Sequence, residues 1–228
     1  MQSRLKKYLI YLLPFVLGNI LFAKMPDKIE KVFNKMEADT VFKYAYHKKT
    51  IGPEDTILES YNPELPIDNR WNLISVNGKE PEQERIEQYQ KRKEQIAEVN
   101  GNSRQLRFTN EDMKDFQLIN DSNGILTYIF QFAPDENDKV AEHLQGEIKI
   151  DKKIDVIKRI KMYNKAPFSP AFSVKIDTFS MVIEYQQMKA TGACKISQVQ
   201  TKVKGKAFVF KKIETDVEEE YFNYVLVE

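Results

Sequence analysis

The sequence predicts a mainly β (α+β) protein built on one antiparallel sheet, and three observations predict it. After Phe116, apolar residues recur at period two in one segment after another. The stretches between those segments, such as Asp121-Ser122-Asn123-Gly124, Asp151-Lys152-Lys153 and Lys204-Gly205-Lys206, read as short turns, too brief for the crossovers that parallel strands require. Helical patterning is confined chiefly to two stretches, after Pro26 and after Pro81.

The chain opens with signal-peptide grammar. Arg4, Lys6 and Lys7 give a basic start, Tyr8 to Phe22 an apolar run broken by Pro14, and Ala23 a small residue for cleavage. The run is short for a spanning helix, which needs roughly 20 apolar residues. Residues 1–23 are therefore expected to be a removed signal, with 24–228 as a single domain, exported to the periplasm without a stable membrane anchor. Next, Ile29, Val32, Phe33 and Met36 share one face of a short amphipathic helix. From Thr40 the period becomes two, with Phe42, Tyr44 and Tyr46 in one phase. Further strands are expected at Thr56 to Tyr61 and Trp71 to Val76, separated by a loop containing Pro63 and Pro66 and followed by an Asn77-Gly78 turn. Pro81 opens a strongly charged helix, Glu82 to Glu98, with a thin stripe of Ile86, Tyr89, Lys93 and Ile96 whose plainest reading is a solvated helix. A short helical turn is expected around Asn110 to Lys114. The β-segments follow near Phe116–Asn120, Ile125–Ala133, Leu144–Ile150, Ile154–Tyr163, Phe172–Met188, Lys195–Lys204, Ala207–Ile213 and Val217–Val227.

Composition narrows the function classes. With 42% apolar and 30% charged residues the chain can build a core and is neither disordered nor collagen-like. A formal charge of +1 lacks the basic excess of a nucleic-acid binder. Cys194, the one cysteine, has no disulfide partner and reads as a partly buried bystander in a strand. His47 and His143 lie far apart, without ligand-spaced partners. The eight glycines form no phosphate-cradling loop, and neither a Gly-x-Ser-x-Gly elbow nor a His-Glu-x-x-His pair is present. The carboxylates Asp135, Glu136 and Asp138 in the loop Pro134–Lys139, and Glu218 to Glu220 along an expected edge strand, read as solvated charge. No catalytic residue, metal ligand or cofactor is nominated.

The strand faces carry the functional expectation. Leu126, Tyr128, Phe130 and Phe132 share one phase, and so do Phe179, Met181, Ile183 and Tyr185; Phe208 and Phe210 form another same-side pair. A sheet this aromatic needs cover on at least one face. Two modest helices supply little of it, so the sheet either curls on itself or leaves a cavity for a lipophilic molecule. The expected lining is Phe130, Phe132, Phe179, Met181, Ile183, Phe208 and Phe210, opposed by Ile29, Phe33 and Met36 of the first helix. If the phase is reversed, Ile129 and Val182 replace their neighbours.

The stretch Trp71-Asn72-Leu73-Ile74-Ser75-Val76-Asn77-Gly78-Lys79-Glu80-Pro81 before a charged helix resembles exported bacterial proteins of the LolA-like superfamily, named for the periplasmic lipoprotein carriers. Gly146-Glu147-Ile148-Lys149-Ile150-Asp151-Lys152 and Lys204-Gly205-Lys206-Ala207-Phe208-Val209-Phe210 are similar to later strands of such proteins. The resemblance implies a curved antiparallel sheet, an open half-barrel with helices covering its concave face, and a hydrophobic cavity for acyl chains. The charged insert departs from what lipoprotein carriers require. The expectation is a non-enzymatic periplasmic protein that binds a lipid or acylated ligand. The alternative is an envelope interaction or structural module, its sheet fully packed and its partner another protein.

Overall fold

A computed structural model describes residues 25–41, 43–100, 113–133, 140–208 and 211–227, with side chains of the second helix described as far as residue 95. The expected signal, Phe42, the loop 134–139 and Phe210 lie outside the described residues. The first helix, α1 (Asp27–Ala38), begins where the Pro26 carbonyl accepts the Ile29 and Glu30 N–H groups at 2.8 and 3.1 Å. Asp27 and Glu30 in its first turn and Lys35 in its last oppose the helix dipole favourably. A short 3-10 turn, Asp39–Val41, leads into β1 (Lys43–Ile51), followed by β2 (Thr56–Tyr61), β3 (Trp71–Val76) and the helix α2 (Gln83–Asn100). The remainder is β4 (Met113–Ser122), β5 (Ile125–Phe132), β6 (Leu144–Asp151), β7 (Val156–Asn164), β8 (Phe168–Ala171), β9 (Val174–Gln187), β10 (Cys194–Ala207) and β11 (Lys211–Val227).

All 11 strands join one antiparallel sheet in the order β3-β2-β1-β11-β10-β9-β7-β6-β5-β4, with β8 beside β9. The sheet does not close, so β3 and β4 remain its edges. This is the mainly β architecture that period-two patterning and short turns predict.

One face holds the core. A rung of directly opposed residues runs Tyr128–Ile148–Ile160–Ile183–Val199 across five strands, and all five are buried. Cross-strand apolar pairs of this kind are the unit of sheet stabilisation. Ile29, Val32 and Phe33 of α1 pack on this face, Ile29 being fully buried. Lys28 and Lys31 pair with Asp155, and the Lys35 ammonium donates to the Ile154 carbonyl at 3.3 Å, so α1 is also tied to the β6–β7 turn. Hydrogen bonds from the two lysines pull the Asp155 carboxyl down to about 2.

Several expectations change. Lys204-Gly205-Lys206 is not a turn: β10 stays extended to Ala207 and the chain reverses beyond it. Gly205 serves close approach, since a Cβ there would lie 2.3 Å from the Lys175 carbonyl oxygen, and the register shifts at this point. Met113 and Lys114 belong to β4 and not to a helical turn; Asn110 to Asp112 are outside the described residues. Glu218 to Glu220 do not lie on an edge, because β11 is paired with β10 on one side and β1 on the other at these positions. They are half-buried, and Glu219 and Glu220 meet Lys48 and Lys49 of β1 while Glu218 accepts from Gln198 of β10. Cys194 is buried, its N–H donating to Asp39 at 3.1 Å, and burial raises its thiol pKa.

Phe130 lies over Gly146, its direct cross-strand partner, so closely that a Cβ at Gly146 would fall 2.0 Å from the ring. Gly146→Ala should therefore destabilise the protein by about 1–3 kcal/mol through displacement of that ring, read as a lower urea midpoint in chemical denaturation. An unchanged midpoint would show that the ring has room to move.

Candidate functional site

The expected pocket residues divide into three groups. Ile29, Phe33, Phe130 and Ile183 are buried together in the core, and Met36, Phe132 and Met181 border it. The expected phase is therefore the inward one, but α1 fills the space that these residues were expected to line. Phe179 is half-buried, its N–H donating to the Asn164 side chain at 2.7 Å, and it is not part of that cluster. Phe208 is 74% exposed in a left-handed turn and lines no interior, because β10 runs past the expected turn and carries this ring to its end.

The same face changes character between β10 and β11. Val199 of the apolar rung is opposed by Glu219, and the next neighbour is Thr50 of β1. A parallel rung runs Tyr221–Lys48–Glu59–Leu73 through β11, β1, β2 and β3. Another runs Tyr46–Tyr61–Trp71, with Tyr224 of β11 alongside. Tyr46 sits at the centre of these rings, with centroids 5.0 Å from Tyr61, 6.0 Å from Trp71, 5.7 Å from Tyr221 and 5.3 Å from Tyr224. These five rings are only half-buried. Tyr44, the sixth of the set, is buried and shares a 2.6 Å hydrogen bond with the Thr191 hydroxyl.

Beside this wall, on the adjacent rung of the same face, is a buried ion network. The Glu59 carboxylate, 4% exposed, accepts Lys48 at 2.7 Å, Lys93 at 2.9 Å and the Tyr89 hydroxyl at 2.6 Å. Lys48 also meets Glu219 at 3.1 Å, and Glu219 accepts the Tyr221 hydroxyl at 3.0 Å. Burial alone would raise Glu59, but the Lys48 and Lys93 ammonium groups and their hydrogen bonds outweigh it and hold the carboxyl below its ordinary range. Burial would lower Lys48, yet its two carboxylate partners raise it. Lys93 is lowered, because burial and the Lys48 charge together exceed the pull of Glu59. Its ammonium lies 3.8 Å from the centroid of Trp71, a cation–π contact. Burial foremost, with neighbouring carboxylates and tyrosines, raises the phenols of Tyr46, Tyr89 and Tyr221, and burial raises Tyr224, so all four stay neutral at physiological pH.

Helix α2 is what completes the network. Ile86, Tyr89, Gln90 and Lys93 are its less exposed positions, at the spacing of one helical face. Tyr89 and Lys93 reach Glu59, Gln90 donates to the Trp71 carbonyl at 3.2 Å, and Arg85 pairs with Asp55 at 2.8 Å. The thin stripe expected from sequence is thus a polar docking edge against β2 and β3. The network itself went unpredicted. Its signal was a lysine on the apolar phase of two elements: Lys48 continues the Tyr44–Tyr46 phase, and Lys93 interrupts the Ile86–Tyr89 stripe.

Chemically, the arrangement offers an aromatic wall beside a neutralised ion network, with Glu59 engaged by three donors. Among the described residues no group of three or more His, Cys, Asp or Glu side chains is placed to hold a metal ion. No family model, curated protein or solved structure matches the chain.

Glu59→Ala should cost about 3–5 kcal/mol, because it leaves Lys48 and Lys93 buried without their shared counter-ion. The depressed folded pKa of Glu59 also sets a pH dependence. Its stabilisation is complete above the unfolded glutamate value of about 4.3 and is lost as the pH falls through the lower folded value. Urea midpoints should accordingly drop as the pH falls below about 4.3, and drop less in Glu59→Gln. Parallel curves for the two proteins would remove Glu59 as the titrating group.

Proposed function

We propose that this chain is an exported, non-enzymatic periplasmic protein that holds a lipid or acylated ligand against the half-buried rings of Tyr46, Tyr61, Trp71, Tyr221 and Tyr224. In this reading the sheet is curved as an open half-barrel of the LolA-like kind, and α1 and α2 cover its concave face. The observation that carries the proposal is the contrast along one face: the rung under α1 is sealed, whereas the ring wall beside it remains partly open to solvent. Each acyl methylene moved from water onto such a wall contributes about 0.8 kcal/mol. The ion network beside the rings supplies rigidity, holding the Lys48 and Lys93 ammonium groups at Trp71.

A second reading is an envelope interaction module. It is favoured by the packing of α1, which fills the wider apolar half of the face with Ile29, Val32 and Phe33. On that reading the partly exposed rings would contact another protein.

Trp71 is the single tryptophan of the chain and reports directly on the wall. Addition of a long-chain fatty acid should shift its fluorescence to the blue, and mass spectrometry of an organic extract should find lipid on protein purified from the periplasm. Tyr46→Ala should weaken that binding by roughly tenfold or more, as loss of a central aromatic anchor does. Neither copurifying lipid nor any Trp71 response would overturn the lipid reading and leave the interaction module.

A further inference from the structure

Pairing of β7 with β9 ends at Tyr163–Ser180, and pairing of β1 with β11 ends at Ile51–Glu218. What continues past these points is an arm made of β8 and the distal parts of β9, β10 and β11. Two turns finish it, one carrying Phe172 and the other Phe208. They are held side by side by the Val174–Ala207 register and by a 2.6 Å hydrogen bond from the Phe208 N–H to the Ser173 carbonyl. Phe172 is fully exposed and Phe208 is 74% exposed, and between them lies an open depression of about 390 Å³ flanked by Lys175 and Lys206.

The charges of this arm are arranged against ordinary sheet preference. Lys175 of β9 is directly opposite Lys206 of β10, and Lys206 is directly opposite Lys212 of β11. Like charges in direct cross-strand register repel and destabilise a sheet. Segments 165–175 and 204–212 contain six lysines and no Asp or Glu. Lys175 has Asp177 at 3.5 Å, while Lys204 and Lys212 share Glu214. Lys165, Lys206 and Lys211 are exposed, with no carboxylate at ion-pair distance among the described residues. A row of cations beside two outward-pointing rings is the pattern of an anionic, amphipathic counterpart.

We propose that the tip of this arm docks on an anionic phospholipid surface. Phe172 and Phe208 enter the boundary between head groups and acyl chains, and the Lys175–Lys206–Lys212 row, with Lys165 and Lys211, meets lipid phosphates. A lipid surface is favoured over a nucleic acid because the rings stand at the extremity of two turns, where they can be inserted, and not along a groove where bases would stack. The proposal is independent of what the tyrosine wall holds.

Flotation of the full mature chain with vesicles tests it. The protein should rise with phosphatidylcholine vesicles containing phosphatidylglycerol and stay behind with phosphatidylcholine alone, and added salt should weaken the association. F172S/F208S and K175E/K206E should each lower the bound fraction on anionic vesicles by roughly tenfold or more. Circular dichroism of both variants should match the parent, since all four side chains are exposed. Equal partition onto neutral and anionic vesicles, unchanged binding in the ring variant, or retention on DNA or an acidic polypeptide without vesicle binding would each overturn the proposal.

Discussion

A straight row of five buried side chains, Tyr128, Ile148, Ile160, Ile183 and Val199, cannot face water, and the rest of the molecule is arranged around that fact. A sheet with one apolar face must lay something over it. Helix α1 packs on it with three residues of a single stripe, and its own Lys28 and Lys31 fasten it to Asp155 of the β6–β7 turn. The demand ends at β10, because beyond Val199 the rung becomes Glu219 and Thr50. There the contact is polar: α2 approaches with a tyrosine, a glutamine and a lysine, and the strands answer with Glu59 and the Trp71 carbonyl.

The polar half has a cost that the apolar half does not. Ions removed from water are favourable only when geometry and hydrogen bonding compensate for desolvation. Glu59 meets that condition with two ammonium groups and a phenol, and Lys48 with two carboxylates. Such a network discriminates among alternative packings, since moving α2 would part Tyr89 from Glu59 and lift Lys93 off Trp71.

Much of this was legible in residue order. Both helices and the bounds of β2 and β3 follow from periodicity together with Pro and Asn-Gly punctuation, whereas period leaves open which phase of β5 and β9 faces inward, and the structure selects that of Phe130 and Ile183. Three features did not follow. Gly205 reads as punctuation in the sequence, although its missing side chain serves close strand contact. Phe179 and Phe208 share the phase of the expected pocket, but alternation reports which side a residue faces and says nothing of how far along a strand the core extends. Lys48 and Glu59 are partners in the β1–β2 pair and Lys93 joins them from α2, but Glu219 meets Lys48 only because β11, the last strand of the chain, inserts between β1 and β10. No local pattern encodes that long-range return.

That insertion has a mechanical side. The first part of β11 is bonded to β10 and its last part to β1, and the two ladders overlap only where Glu218, Glu219 and Glu220 have partners on both sides. The sheet is in effect spliced, like two planks lapped over a short length and pinned by Gln198, Lys48 and Lys49. Among the described residues no other strand pairing joins the ring-bearing plank to the helix-sealed plank, so those three glutamates are where both surfaces are held in one sheet.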